Sequence, residues 1–547
     1  MGNFLGFDIE TEGDEEGYAL QPWRIKEGSA RITLASAWKN DHGIIIENNL
    51  TEILDVFREI DHKVVCHNTV FDLAWIYAAG YNIDNIKWFD SMLLCKWLLN
   101  GQRAPIKYDL GSMAERFLSG WDRLEEFIKI KEMDVEPGQD NEYWKDRVTL
   151  DAEATARIAD IVWEQLTPKQ KISASIQAMT IPTIAASWSN GICIDLEKIK
   201  DSEPGIINEM YSIEKKLGLE EPWIDEYVPA KILRSPQKLA NLVYSDWGYK
   251  CTRFSEKTKA PSADKIALTY LTDYNDERIF DILRWRELNT IWSKFVTGPI
   301  KTCEYLKSNV THSTPKIFST YSGRMTYSSS PRKGKGIRYG LPIHQTPRNK
   351  EVRCGIIAPP GDYIFEADAK GQEMRIMAIQ SRDSRMLELF NAEHPYDDVD
   401  FKDFLERKAA KDPEIVGPQG ARNAGKYVAL SNLYRASDRI LMIRGRVNYG
   451  FNIEQQIAKI WKQKFLNLFP GIKDWWAIAP SRTRQTGYAE TLGGRRYGIS
   501  KWSEDWQDRC RSARFSYCYT DNRASGSEIQ ILFRSSRWSV FKHAKNL

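Results

Sequence analysis

The stretch GDYIFEADAKGQEMRIMAIQS, residues 361–381, decides how the rest of the chain is read. YIFEADA has the composition of a buried strand, and GQEMRIMAI has that of a helix starting directly after it. Asp368 therefore stands where a strand ends and a helix begins, a usual place for a metal ligand. A lone Asp at a strand end is commonly only a turn residue, so the neighbours of Asp368 must support it. Strand followed by helix also sets the expected class, α/β.

Downstream, GARNAGKYVALSNLYRAS, residues 420–437, has helical spacing. A step of four residues advances a helix by about 400°, a drift of roughly 40°. Arg422, Lys426, Leu430 and Tyr434 thus form one slowly turning stripe. Two cations lead it, the chemistry of a triphosphate site. An aromatic ring ends it, suited to a base. Gly425 within this helix costs about 1 kcal/mol relative to Ala. Upstream lie STYSGRMTYSSSP (319–331) and LPIHQTPRNKEVRCGIIAPPG (341–361), and further back RSPQKLANLVYSDWGY (234–249), KTKAPSADKIALTYL (257–271) and RWRELNTIWSKFV (284–296). Downstream again come FLNLFPGIKDWW (465–476), GYAETLGGRRYGI (487–499) and NRASGSEIQI (522–531).

Taken in order, these segments resemble the family A DNA polymerases in their compact, phage-like form. The resemblance implies a right-hand body with helical thumb and fingers and an antiparallel palm sheet. It implies that Asp368 binds two Mg²⁺ (or Mn²⁺) ions, that Glu373 excludes a ribose 2′-hydroxyl and that Arg375 is a support. By the same resemblance Arg422 and Lys426 grip the phosphates of a dNTP, and Tyr434 stacks beside the templating base. Leu430 stands where the family usually has Phe or Tyr against the nucleotide sugar, and Arg435 where it has Gly. Arg324 matches an arginine that reaches the duplex minor groove. Gln345 matches a family Asn approximately. Arg495 and Arg496 match palm residues at the DNA. Arg523 stands in place of a family Gln.

The N-terminal segment carries a second constellation. FLGFDIET is a core strand, and strand alternation puts Asp8 and Glu10 on one face. Two carboxylates so placed repel each other unless a divalent cation is shared. VVCHNTVFDLAWI runs from strand to helix and contains Asn68 and Asp72, which share a face if the helix has begun. WFDSMLLCKWLL contributes Asp90. Asp151 lies in the long helical segment DRVTLDAEATARIADIVWEQL. Acidic residues spread over such edges can hold two hard cations of the Mg²⁺ or Mn²⁺ kind. This order resembles the DEDD-type 3′–5′ exonuclease domain, an RNase H-like fold. The resemblance makes Asp8, Glu10, Asp72 and Asp151 its metal-binding and catalytic carboxylates. Four residues before the last Asp the family has Tyr or His; here stands Arg147, with Tyr143 one turn further back.

The expected domains are 1–165, the exonuclease; 166–310, the polymerase N-terminal segment and thumb; 311–390, the first part of the palm; 391–450, the fingers; and 451–547, the second part of the palm. Charge follows this division. Residues 1–165 hold 17 Lys/Arg against 31 Asp/Glu, net −14, whereas the remainder holds 60 against 43, net +17. A basic body behind an acidic domain points to a polyanionic partner. That partner is expected to be primer–template DNA, held mainly through phosphates. The eight cysteines form no CxxC pair, which excludes zinc-ribbon spacing, and the long chain points to a reducing compartment. No apolar run is long enough for a membrane helix. The expected location is the cytoplasm, that of a bacterial host for a phage gene.

One family feature is missing. The resemblance calls for an H-D-E motif about thirty residues after Arg523, and no such tripeptide occurs in the 547 residues. Split gene, frameshift and natural loss all fit. The expectation is therefore twofold: a proofreading DNA polymerase, or a 3′–5′ exonuclease on a polymerase body that needs a complementing C-terminal chain. A processivity factor is a further possible partner.

Overall fold

The computed structural model describes residues 2–47, 49–100, 106–133, 135, 141–221, 227–255, 258–320, 323–329, 340–347, 349–365, 372–391, 420–449, 453–498 and 531–533. Asp368 and Arg523, and the side chains of Arg422 and Lys426, lie outside the described residues.

The first domain is built on a five-stranded sheet. Its strands are β1 (Phe4–Gly13), β2 (Ala30–Lys39), β3 (His42–Ile46), β4 (Lys63–Cys66) and β5 (Trp88–Asp90), in spatial order β3-β2-β1-β4-β5. β1 runs antiparallel to β2 and parallel to β4, with a register shift between Glu10 and Thr11. Around it pack α1 (Thr51–Glu59), α2 (Thr69–Ala78), α3 (Ser91–Leu99), α4 (Leu110–Phe117), α5 (Leu124–Glu132) and the long α6 (Asn141–Gln165). The core is aromatic: Phe4 meets Phe89 and Trp163 edge-on, and Phe7 meets Phe57. Such pairs add about 0.5–1.5 kcal/mol each beyond their buried area.

One glycine sets the distance between α6 and the sheet. A Cβ on Gly6 would lie 1.9 Å from the Ala152 carbonyl oxygen and 3.1 Å from the Ala156 Cβ. Gly6 on β1 and the small buried residues Ala152, Ala154 and Ala156 on α6 let helix and strand approach closely. Asp151, next to Ala152, is thereby brought against the face of β1 that carries Asp8 and Glu10.

The first core does not stop at residue 165. α7 (Pro168–Ala178) and α8 (Ile181–Asn190) join it through Ala174, Ala178, Ile181, Ala185 and Trp188. α7 opens with a capping box in which Thr167 and Gln170 satisfy each other's backbone groups. The second core gathers α9 (Leu196–Leu217) and the helix Glu277–Ile291. Its keystone is Glu214, which is fully buried. Its Oε1 accepts from Tyr227 Oη (2.7 Å), Ala230 N (2.9 Å) and Trp285 Nε1 (2.8 Å). Oε2 is buried without a hydrogen-bond partner among the described residues. Glu214→Gln keeps the acceptor but weakens three charge-assisted bonds and buries an unpaired amide. We expect a loss of roughly 1–2 kcal/mol, read as a lower urea midpoint by circular dichroism.

The third core joins the helices Gln372–Ser381, Ser384–Asn391, Gly420–Leu433, Asp438–Tyr449, Gln455–Leu468 and Pro470–Thr486. Between the cores run short antiparallel pairings. Ile192–Ile194 lies between Val310–Thr311 and Ile356–Ile357; Tyr363–Phe365 pairs with Ile531–Phe533. The strand expected in YIFEADA is present as Tyr363–Phe365, but it is not buried: Tyr363 is 82% and Phe365 53% exposed. Its inner residue Ile364 packs against the second core, and the two flanking side chains, alternating to the other face, do not.

A hairpin, Tyr488–Glu490 with Arg496–Gly498, docks on the first domain. Asn100 Nδ2 donates to the Arg496 carbonyl (2.9 Å), Gly498 N to the Asn100 carbonyl (3.1 Å), and Ser173 Oγ to the Gly493 carbonyl (2.9 Å).

Candidate active sites

β1 delivers Asp8 and Glu10, α2 delivers Asp72, and α6 delivers Asp151. One ligand oxygen from each of Asp8, Glu10 and Asp151 lies within 4.8 Å of the others. Asp72, 3% exposed and on the first turn of α2, is not one of this close group. Asn68 does not share a helical face with Asp72. It is the N-cap of α2, at φ +71°, a left-handed conformation that Asn tolerates better than most residues. Asp90 holds that corner. Its carboxylate accepts from Asn68 N (3.3 Å), Thr69 N (3.0 Å) and Leu93 N (3.1 Å), so it caps α3 and anchors the start of α2.

Crowding shows in the electrostatics. Burial, then the charges of Asp151, Asp72 and Glu10, hold the Asp8 carboxyl well above the usual range. Burial pushes Glu10 up to about 7, against the pull of Arg147. Asp72 is also raised, by burial first, with the Ile9 and Asp72 backbone amides pulling the other way. Asp151 Oδ1 is buried and has no hydrogen-bond partner among the described residues. Three convergent carboxylates, mutual repulsion and an orphaned oxygen are the donor set of a hard divalent cation. Mg²⁺ or Mn²⁺ fits these residues.

Two cations border the trio. Arg147 Nε lies 3.2 Å from Glu10 Oε1, and its Nη1 donates to Tyr143 Oη (3.0 Å). The Tyr143 hydroxyl reaches the carbonyls of Ile130 (3.0 Å) and Met133 (3.3 Å) at the end of α5. Tyr143 is thus a buried tie to α5, and Arg147 is the residue that faces the carboxylates. Lys131, in the last turn of α5, pairs with Asp151. Sequence reading missed Lys131: no spacing relates it to Asp151, and only the packing of α5 on α6 brings them together.

The second site is described in part. Tyr434 Oη donates to Glu373 Oε2 (2.9 Å), joining the end of the Gly420–Leu433 helix to the first turn of Gln372–Ser381. Leu430 is half-buried against the third core. Arg324 follows a turn in which Gly323, at φ +76°, precedes it and Thr320 Oγ1 accepts from its N–H (2.9 Å). Gln345 is exposed and accepts from Lys294 Nζ (3.1 Å). Arg496 pairs with Glu490 (3.1 Å). Arg495, expected at DNA, is instead 1% exposed. Its guanidinium lies 4.3 Å from the Trp97 ring and 4.4 Å from Phe318, with Gln177 Oε1 at 3.5 Å. It is a buried seam between the first domain and the Tyr488–Gly498 hairpin, where aromatic faces replace water around its charge.

Residues 211–517 match the family described as DNA polymerase family A. DNA polymerase I of Borreliella burgdorferi is 23% identical over 468 residues, 84% of this chain and 47% of that protein. The thermostable DNA polymerase I of Thermus filiformis is 26% identical over 286 residues, 52% of this chain and 31% of that one. The chain thus spans between about a third and about a half of the curated relatives it matches. Among solved structures, the POL domain of Pol1 from M. smegmatis, in complex with DNA primer-template and dNTP, is similar with a TM-score of 0.68 at 18% identity. The match covers 96% of this chain and 83% of that one, and the likeness is one of fold.

Proposed function

Because the chain belongs to DNA polymerase family A, we propose that it extends primers on a DNA template from dNTPs and that residues 1–165 remove 3′-terminal nucleotides. The observation that supports the exonuclease half is the convergence of Asp8, Glu10 and Asp151 within 4.8 Å. The polymerase half is supported by family membership and by the Tyr434–Glu373 hydrogen bond, which puts both expected nucleotide-pocket residues together.

In the exonuclease reading Asp8, Glu10, Asp72 and Asp151 hold two divalent ions. When bound, these ions supply positive charge for the scissile phosphate and lower the pKa of the attacking water. The chain's own residues do the rest. The carboxylates fix the position of that charge on a rigid strand and helix. Arg147 cannot act as a base near neutral pH, since a guanidinium keeps its proton. It orients Glu10 and offers its fork to phosphate oxygens. In the polymerase reading Asp368 holds the ions, Arg422 and Lys426 bind the triphosphate, and Glu373 and Tyr434 shape the sugar and base pocket. Arg324, Gln345 and Arg496 face the duplex; Arg495 positions the seam instead.

The test is a 5′-labelled primer on a longer template with Mg²⁺, with and without dNTPs. Lengthening with dNTPs and shortening without them are expected; neither change overturns the proposal. Shortening alone supports the exonuclease half and overturns the polymerase half for this polypeptide.

A further inference from the structure

The carboxylate trio carries two counter-ions of its own, and they are held differently. Arg147 is hydrogen-bonded through Nη1 to Tyr143, lies over the Trp144 ring at 5.0 Å and has its Nε 3.2 Å from Glu10. Lys131 reaches Asp151 Oδ2 from the last turn of α5, with its ammonium 5.9 Å from the Phe127 ring. A compact ammonium on a four-carbon stem swings away at little cost, whereas a planar guanidinium held by a hydroxyl and stacked on a ring does not. Asp151 gives one oxygen to Lys131 and leaves the other, buried, without a hydrogen-bond partner among the described residues. That second oxygen is the independent sign that the trio is built for a ligand it shares with Lys131.

We propose that Lys131 is a displaceable internal counter-ion: its ammonium occupies one cation position of the Asp8–Glu10–Asp151 group, and a divalent ion binds there by expelling it from Asp151. Lys131 then sets the divalent-ion concentration at which the group fills, while Arg147 stays in place. The proposal rests on the reading of this trio as a metal-binding group. It assigns the two ion positions unequal affinities, the weaker being the one Lys131 contests. It also gives Lys131 a role in the metal-poor protein, where it pairs with Asp151 as Arg147 pairs with Glu10.

The experiment is Mn²⁺ titration calorimetry of the full chain in four forms: unmodified, Lys131→Met, Lys131→Arg, and Asp8→Ala with Glu10→Ala. The last form identifies the heat that belongs to the trio. Met keeps the stem that packs by Phe127 and removes only the charge. In Lys131→Met the Kd of the weaker trio-dependent component should fall by roughly tenfold, since a competing full charge a few ångströms away is gone. Lys131→Arg should bind as the unmodified chain or more weakly. The Mn²⁺ concentration for half-maximal primer shortening should move in parallel. Unchanged or weaker trio-dependent affinity in Lys131→Met, with an intact circular dichroism spectrum, overturns the role of Lys131 alone. Absence of any heat that the double variant removes overturns the metal-binding reading and the proposal with it. If Lys131→Met does not fold, Lys131→Gln takes its place with the same expected direction.

Discussion

Changing Asp8 and Glu10 together to alanine should slow primer shortening by roughly a thousandfold or more. Loss of two of three convergent ligands forfeits several kcal/mol of transition-state charge stabilisation, and about 4 kcal/mol is already a factor of a thousand. The measurement is the first-order rate of loss of the 5′-labelled full-length primer in Mg²⁺ without dNTPs. A control that touches no part of the trio is Asp61→Asn. Asp61 is exposed and pairs with Lys87 on the protein surface. Exposed pairs contribute about 0–1 kcal/mol, so this variant should shorten primers at the unmodified rate. A double alanine variant that retains a tenth of the activity would mean that the convergence of Asp8, Glu10 and Asp151 is not the catalytic centre. A single variant, Asp151→Asn, should fall by a similar factor, because Asp151 supplies the carboxylate that α6 brings from a distant part of the chain.

The two sites were unequally legible in the sequence. Asp8 and Glu10 could be placed on one face because a strand alternates with a period of two and Phe4, Phe7 and Ile9 mark the buried residues around them. That Asp151 meets them follows from the close approach at Gly6, and no local pattern announces that contact. Lys131 and Arg147 show the same limit. Each sits on an ordinary charged helix surface in the sequence, and each becomes a counter-ion only when α5 and α6 pack beside β1. Whether Asn68 shares a face with Asp72 turned on where the helix begins; it begins at Thr69, and Asn68 is its left-handed cap. Arg495 was misplaced. A guanidinium in a basic segment is ordinarily solvated, and the rings that bury it, Trp97 and Phe318, lie far away along the chain. The stripe of Arg422, Lys426, Leu430 and Tyr434 was visible from helical spacing, and the Gly420–Leu433 helix carries its first three residues. Its aromatic end meets Glu373 across helices, a pairing that spacing alone does not contain.

In a chelator the first domain should lose stability as pH rises from about 6.5 to about 8, contrary to the usual behaviour of folded carboxylates. The carboxyl of Asp8 is held well above the usual range by burial and by Asp151, Asp72 and Glu10, and Glu10 is pushed up to about 7. A group whose folded pKa lies above its unfolded value binds more protons when folded. Stability then falls with pH, being fully present below the unfolded pKa and lost as pH passes the folded one. For Glu10 the interval from 4.5 to about 7 corresponds to ~3 kcal/mol, and Asp8 adds in the same direction. Carboxylates held low elsewhere, such as Asp276 beside Arg278, change stability only at more acid pH, but His67 and His312, held down to about 4 and about 3 by burial, add stability as pH rises toward 6.5, so the fall is read above that pH. Melting curves in EDTA should therefore show the first domain's transition moving down across this range. Mn²⁺ should remove the dependence, because it binds the ionised carboxylates and so stabilises the form that high pH favours. Asp8→Asn should flatten the slope in EDTA by deleting one titrating group and one source of repulsion. A transition that stays level or rises between pH 6.5 and 8 in EDTA would show that the trio is ionised and compensated in the metal-free fold, with Lys131 and Arg147 supplying all the charge it needs.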